Sequence, residues 1–216
     1  PLWDPHSCPL VFNELGNRFV IASDLGRVEM YDFDRCSGQL TLIDSIVKPE
    51  TLTYWFYGMS FSPSGRFLYL TDTYYGTPGD SIGQSSRLYQ YDLWSTNVQG
   101  SEQVIFIAEP PCPDNAPICR RAFGGHKLGP DGKIYIGNAS DDGIVGVWDT
   151  LSVIHNPDAP GAACDFRHMS FPLTPGHGKA FFPNIPNYRL GPLTPFPANA
   201  GADQFYCIGG TPATLG

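Results

Sequence analysis

Five histidines and a scatter of carboxylates are the residues of this chain that could do chemistry. The histidines are His6, His126, His155, His168 and His177. No two are spaced as HxH or HExxH, the patterns that bring two imidazoles onto one metal ion. His126 and His168 each stand near the opening of an apolar segment. If such segments repeat around a common axis, the two rings could converge on a metal; otherwise they are surface or turn histidines, the default for an isolated imidazole. Asp141 and Asp142, with Asp72 and Asp80 in an earlier polar stretch, offer the hard oxygen ligands that Ca2+ takes. Their spacing departs from the D-x-[DN]-x-[DN]-G loop, so solvated turn carboxylates are the simpler reading and no cofactor is expected, with Ca2+ at these carboxylates as the alternative. No serine sits in a G-x-S-x-G elbow, and no Gly-rich phosphate loop opens a helix. Asn138-Ala-Ser140 fits a glycosylation acceptor, a pattern short enough to arise by chance. No catalytic residue is assigned.

The other residues with chemical potential are thiols and aromatic rings. None of Cys8, Cys36, Cys112, Cys119, Cys164 and Cys207 forms a CxxC pair, which weighs against a zinc ribbon or a thioredoxin-like motif. An even count in an acidic, Pro-rich chain fits an oxidising compartment. Cys112 and Cys119 flank a short loop and are candidates for one local disulfide. Tyr74 and Tyr75 open a polar, Gly-rich stretch, where rings could offer a face to a carbohydrate or a peptide. The aromatic run Tyr54-Trp-Phe-Tyr57 reads instead as packing between layers.

Composition narrows the scaffold that must position these groups. The 216 residues include 24 Gly and 21 Pro, with 42% hydrophobic, 13% aromatic and only 16% charged residues. That apolar content is too high for disorder, and turn residues punctuating short apolar runs fit an all-β domain. A formal net charge of -8 with no Lys/Arg cluster argues against nucleic-acid binding. No apolar run reaches the roughly 20 residues that cross a bilayer as a helix. The chain opens on Pro1-Leu-Trp-Asp with no leader-like segment, which reads as a mature product or a piece of a longer chain.

The apolar runs repeat. Tyr57-Gly-Met-Ser-Phe-Ser-Pro-Ser-Gly-Arg-Phe-Leu-Tyr-Leu70 reads as a β-hairpin, with Pro63 and Gly65 at the turn. Leu128-Gly-Pro-Asp-Gly-Lys-Ile-Tyr-Ile136 repeats it with Pro130 and Gly132, and a simpler copy surrounds Gly16. Val28-Glu-Met-Tyr-Asp-Phe33, Arg87-Leu-Tyr-Gln-Tyr-Asp-Leu93 and Ile144-Val-Gly-Val-Trp-Asp149 follow as equivalent strands, each with an aspartate at or next to its end. Asp32, Asp92 and Asp149 are therefore given a structural job, a carboxylate closing a turn. Leu40–Val47 and Val104–Ala108 close the first and second units. A further hairpin starts at Met169-Ser-Phe-Pro-Leu with Gly178-Lys-Ala-Phe-Phe182, and Leu151–His155 is a helical turn or a strand. Three to four four-stranded antiparallel repeats of this size are blades of a β-propeller, part of a larger ring.

In this order the motifs resemble the propeller regions of large secreted Bacteroidetes proteins exported by the type IX secretion system. Phe182-Pro-Asn-Ile-Pro-Asn-Tyr-Arg-Leu-Gly-Pro192 is similar to the segment that closes such propellers. Ala200-Gly-Ala-Asp-Gln…Cys207 is similar to the start of the Ig-like or PKD-type domains that follow them. The resemblance implies a propeller portion over 1–192, a Pro-rich linker over 193–199 and the start of a β-sandwich over 200–216. It implies a noncatalytic extracellular scaffold or binding module in adhesion or surface assembly, with surface proteins or polysaccharide as partners. It hands over no catalytic motif. The rival expectations are a propeller enzyme, a lactonase-like hydrolase or lyase with a metal near His126 and His168, and a structural subunit of an extracellular filament or sheath.

Overall fold

The computed structural model describes residues 9–23, 26–48, 53–75, 85–108, 122–139, 150–174 and Phe182. Twelve strands among them form three four-stranded antiparallel sheets, each a meander in chain order. Sheet 1 holds β1 (Leu10–Phe12), β2 (Arg18–Ser23), β3 (Arg27–Phe33) and β4 (Leu40–Val47). Sheet 2 holds β5 (Thr53–Phe61), β6 (Phe67–Tyr75), β7 (Ser85–Asp92) and β8 (Gln103–Ala108). Sheet 3 holds β9 (Ala122–Leu128), β10 (Ile134–Ala139), β11 (Thr150–Ile154) and β12 (Phe166–Pro172). Sequential four-stranded meanders stacked face to face are propeller blades, and the fold is all-β as its turn-rich, β-branched and aromatic sequence requires. Among the described residues, no helix is long and apolar enough to cross a membrane.

The first hairpin of each sheet turns on the glycine picked out from the sequence. Gly16, Gly65 and Gly132 have φ of 65°, 73° and 77°, a region that L side chains enter at a cost. The backbone closes alike in the first two, where Asn13 N–H donates to Arg18 O and Ser62 N–H to Phe67 O. The Asn13 and Ser62 side chains accept from the backbone N–H of Arg18 and Phe67. In the third turn Gly129 N–H donates to Lys133 O, one residue shorter. With that offset the three sheets align residue for residue, so that Phe19, Leu68 and Ile134 are equivalent.

Both faces of sheet 2 are covered. Leu68, Leu70, Tyr89 and Tyr91 pack on Val20, Ala22, Val28, Met30 and Ile46 of sheet 1. Phe67, Tyr69 and Leu88 pack on Phe123, Ile134, Ile136 and Ile154 of sheet 3. This is why β6 carries no polar face over Phe67–Leu70, all of it buried.

One open alternative is decided and two sequence expectations change. Leu151–Ile154 are strand, as part of β11, with His155 just beyond its end, because Leu151 and Val153 pair with Phe171 and Arg167. Met169–Pro172 belongs to β12, the fourth strand of sheet 3, and does not open a fourth hairpin. Tyr74 and Tyr75 fall in strand β6, opposite Tyr54 and Thr53, and not in a loop. Residues 144–149, 178–181 and the proposed linker and sandwich start lie outside the described residues.

Candidate functional site

His126 lies on β9 where it runs beside β5. A Cβ on Gly58 would meet His126 Cδ2 at 2.3 Å and the Gly124 carbonyl at 2.4 Å, so only glycine lets the two strands approach. Ser60 Oγ lies 3.3 Å from Nδ1 and Thr71 Oγ1 lies 3.1 Å from Nε2. Thr71 also donates to Gly58 O, which leaves its oxygen to accept from Nε2–H and leaves Nδ1 to accept from Ser60. The residue keeps some solvent-exposed area, yet its ring is enclosed, and desolvation pushes the imidazole down to about 3. It is a neutral bridge between two sheets.

His168 stands at the opposite edge of the same sheet. Strand order β12-β11-β10-β9 puts three strand spacings between the two histidines, so they do not converge. The His168 ring stacks on Phe106 at 5.0 Å, meets the edge of Phe123 at 5.7 Å, and bonds Ser152 Oγ through Nδ1 at 3.2 Å. Among the described residues, no three His, Cys, Asp or Glu side chains are grouped to hold a metal ion. Asp141, Asp142 and the Cys112–Cys119 pair lie outside the described residues, as do His6, His177, Asp80 and Asp149. Tyr74 and Tyr75 are placed by backbone only. Cys36 is disulfide-bonded, while Cys164 is a free, buried thiol.

Spacing alone does not collect a group of ionisable side chains that meets where sheets 1 and 2 join. Asp72 is fully buried on β6 and accepts a hydrogen bond from Tyr89 OH at Oδ2, 2.9 Å away. Its Oδ1 has no hydrogen-bond partner among the described residues. Lys48, following β4 of sheet 1, sets its Nζ 3.6 Å above the Tyr89 ring and 2.6 Å from Glu102 Oε2. Tyr91 OH donates to that same Glu102 oxygen. The cluster therefore joins sheet 1 to sheet 2 through one ammonium ion, two carboxylates and two phenols. Burial raises the Asp72 carboxyl to about 6 against the bond from Tyr89 and the fields of Lys48 and Arg87, which lower it. Burial also raises Tyr89 and Tyr91, so both phenols stay protonated donors. A signal for this is present in the sequence: Leu68, Leu70 and Asp72 alternate onto one face, so an aspartate ends a buried stripe.

Polar side chains between sheets 2 and 3 are used in the same way. Asp158 accepts from Ser64 N–H at 3.0 Å and Ser64 Oγ at 2.5 Å. Tyr69 OH donates to Pro157 O at 2.9 Å. Gln90 donates to Ala159 O and accepts from Gly161 N–H. The recurring strand-end aspartates do more than close turns. Asp32 pairs with Arg18 at 2.8 Å, and Asp92 pairs with Arg66 at 2.7 Å while accepting from Trp94 N–H.

On the far face of sheet 3, Lys133, Tyr135, Val153, His155, Arg167 and Phe171 line a depression of about 140 Å³. Its cations are already paired, Lys133 with Asp131 at 3.2 Å and Arg167 with Asp165 at 3.0 Å. Ligand pockets run to roughly 300–1,000 Å³, so this depression is below the usual size.

No protein-family model matches the chain, and no curated protein matches it. Its fold is similar to that of a Bacteroides fragilis protein provisionally assigned as a 6-phosphogluconolactonase, at 14% identity and a TM-score of 0.44, covering 77% of this chain and 39% of that one. An oligogalacturonate lyase from Vibrio parahaemolyticus is similar at 9% identity and a TM-score of 0.44, covering 74% and 39%. The β-propeller domain of Cps50 from Myceliophteria thermophila is similar at 13% identity and a TM-score of 0.37, covering 60% and 36%. The chain thus spans about two fifths of the length of these structures. The propeller reading stands on the three sheets themselves, and no activity follows from likeness at this level.

Proposed function

We propose that this chain is part of a β-propeller serving as a noncatalytic scaffold and binding module, which engages extracellular proteins or polysaccharide. The observation that carries the reading is where the interior polar groups are spent. His126, Lys48, Glu102, Asp158 and Gln90 are all bound across sheet junctions, and the depression on sheet 3 is smaller than an ordinary ligand pocket. The Cys36 disulfide supports an oxidising compartment outside the cytoplasm. With the blade and closing motifs, it supports a secreted or cell-surface protein of the type IX-exported kind, in adhesion or surface assembly.

A second reading, a propeller enzyme, is favoured by Asp72. A carboxylate held near 6 beside a phenol and an ammonium ion is what general-base chemistry asks for. Against it stands the closure of the group, since Asp72 is fully buried and does not line the depression on sheet 3. The experiment is to offer purified full-length protein a phosphorylated sugar lactone and oligogalacturonate, and to probe it in parallel on a glycan array. The scaffold reading expects hydrolysis and cleavage at buffer rates, and glycan or protein binding that survives Asp72→Asn. Turnover that falls by about 100-fold or more in Asp72→Asn would establish the enzyme and overturn it.

A further inference from the structure

Trp94 is an aromatic side chain that the fold displays instead of packing. It follows β7 in the connection to β8 and is 66% exposed. The connection itself is well tied. Leu93 and Val98 are buried, Leu93 N–H donates to Arg66 O, Ser95 N–H to Asp92 O, and Gly100 N–H to Asn97 Oδ1. Pairing of Tyr31 with Phe19 and of Tyr91 with Leu68 makes Asp34 the counterpart of Trp94 in sheet 1. Asp34 closes its turn by accepting from the N–H groups of Cys36 and Ser37. In sheet 2 that work falls to Asp92, which accepts from Trp94 N–H at 3.0 Å. The indole is left with no part in closing the turn.

Its surroundings are nonetheless fixed. Arg66 Cζ lies 5.4 Å from the Trp94 ring centroid and 4.9 Å from that of the buried Phe67. Asp92 holds the guanidinium through Nε at 3.2 Å and Nη2 at 2.7 Å. The bond from Arg66 keeps the Asp92 carboxyl below its ordinary range, so at neutral pH it is an acceptor. Among the described residues no hydrogen bond engages Arg66 Nη1 or the indole N–H of Trp94. A solvent-screened ion pair of this kind adds little to stability. What it does is order a flat π surface edged by two donors and a carboxylate.

We propose that Trp94, Arg66 and Asp92 form a binding platform for a neutral polysaccharide, one pyranose ring of which stacks on the indole. The inference rests on the binding-module reading above and selects one of its partner classes. A pyranose carries C–H bonds over one face, which suit the negative face of an aromatic ring. The hydroxyls round its edge both accept and donate, and so match Arg66 Nη1, the indole N–H and the Asp92 carboxylate. A nucleic acid would use the same stacking, but a formal net charge of -8 opposes its phosphates, and it opposes an acidic glycan likewise. A protein partner would seat the tryptophan in a desolvated apolar ring, whereas the chain beside it supplies Asp92, Ser95 and Asn97. An open platform also needs no deep pocket, since a polysaccharide lies along a surface.

Affinity electrophoresis of the full-length polypeptide through gels holding soluble glucan, mannan, xylan or galactan tests it, with Trp94→Ala and Trp94→Tyr run beside the unsubstituted protein. The expected result is retention by at least one of these glycans that weakens about tenfold or more in Trp94→Ala. Trp94→Tyr, which keeps an aromatic face, should recover most of it, and thermal unfolding should be unchanged in both. Oxidative footprinting of Trp94 in the unsubstituted protein, with and without the retained glycan, gives the same reading should a variant fail to fold. Retention of Trp94→Ala equal to that of the unsubstituted protein, or oxidation of Trp94 that the glycan does not slow, overturns the platform and leaves the binding module standing. Preference for polygalacturonate over all four neutral glycans overturns it too. So does failure of the unsubstituted protein to be retained by any glycan, and the module reading is then decided by protein partners and by the turnover assays.

Discussion

Replacing Asp72 by Asn tests the account of the buried cluster directly. The carboxyl is held near 6, above its ordinary 3.8, because burial disfavours its charge more than Tyr89, Lys48 and Arg87 favour it. The folded state therefore binds this proton more tightly than the unfolded chain does. The contribution to stability is fully present below about 3.8, is lost as pH rises through about 6, and stays lost above that. A displacement of this size separates the protonated and ionised extremes by roughly 3 kcal/mol. Asn has no charge to desolvate, and its carbonyl can still accept from Tyr89. Its amide must find an acceptor where Oδ1 now has none, which costs roughly 1–2 kcal/mol. Asp72→Asn should thus stabilise the protein by about 1–2 kcal/mol at pH 8 and destabilise it by a similar amount at pH 4. The assay is urea denaturation of both proteins at pH 4, 6 and 8, followed by tyrosine and tryptophan fluorescence. Other titrating groups cancel in the difference between variant and wild type. A difference that stays constant across these pH values, or a variant less stable than wild type at pH 8, would refute the reasoning.

Four further outcomes follow from the same contacts. His126→Gln should flatten the acid side of the stability profile: with its pKa depressed, the neutral ring contributes stability above about 6.5 that is lost as pH falls toward 3, and thermal melts at pH 4 and 7 read this. Gly58→Ala should cost roughly 1–3 kcal/mol or more, because its Cβ meets both the His126 ring and the Gly124 carbonyl, and Gly58→Ala/His126→Ala should recover only the part due to the ring, as urea titrations of the three variants will read. Lys48→Met should destabilise by about 1–3 kcal/mol, less than for a fully enclosed pair because Glu102 is 30% exposed, and Lys48→Met/Glu102→Gln should recover part of it in urea titrations. Arg66→Ala at the solvent-screened Asp92 pair should leave stability unchanged within the error of the same titrations.

Much of the architecture is written in short-range signals. Gly16, Gly65 and Gly132 mark the three hairpins because each must take positive φ, a demand that residue type alone exposes. Alternation in Val28–Phe33 and Arg87–Asp92 identifies strands for the same local reason, since side chains on a strand change face at every residue. The candidate sites are less legible. His126 and His168 both look like openings of inner strands, but β12 pairs with β11, and which neighbour a strand pairs with is decided over dozens of residues. Asp72 looks like the first residue of a polar loop because β6 ends amid polar residues. Its alternation with Leu68 and Leu70 carries the correct answer, and the length of β6 decides it.

The sequence by itself determined the repeat, its turns and the all-β class, because those follow from φ at glycine, ring closure at proline and a two-residue side-chain period. Only the tertiary structure decided what the polar residues are for. Gly58 and His126 are 68 positions apart, and Lys48 and Glu102 are 54 apart, yet each pair meets at a seam between stacked sheets. No spacing rule reports such meetings, since they depend on how far one sheet is turned and shifted against the next. Phe12 and Phe19 are the same lesson from the other side. Residue type shows that both could be buried, and only the tertiary structure decides that Phe19 is 6% exposed while Phe12, its partner across β1 and β2, is 44% exposed.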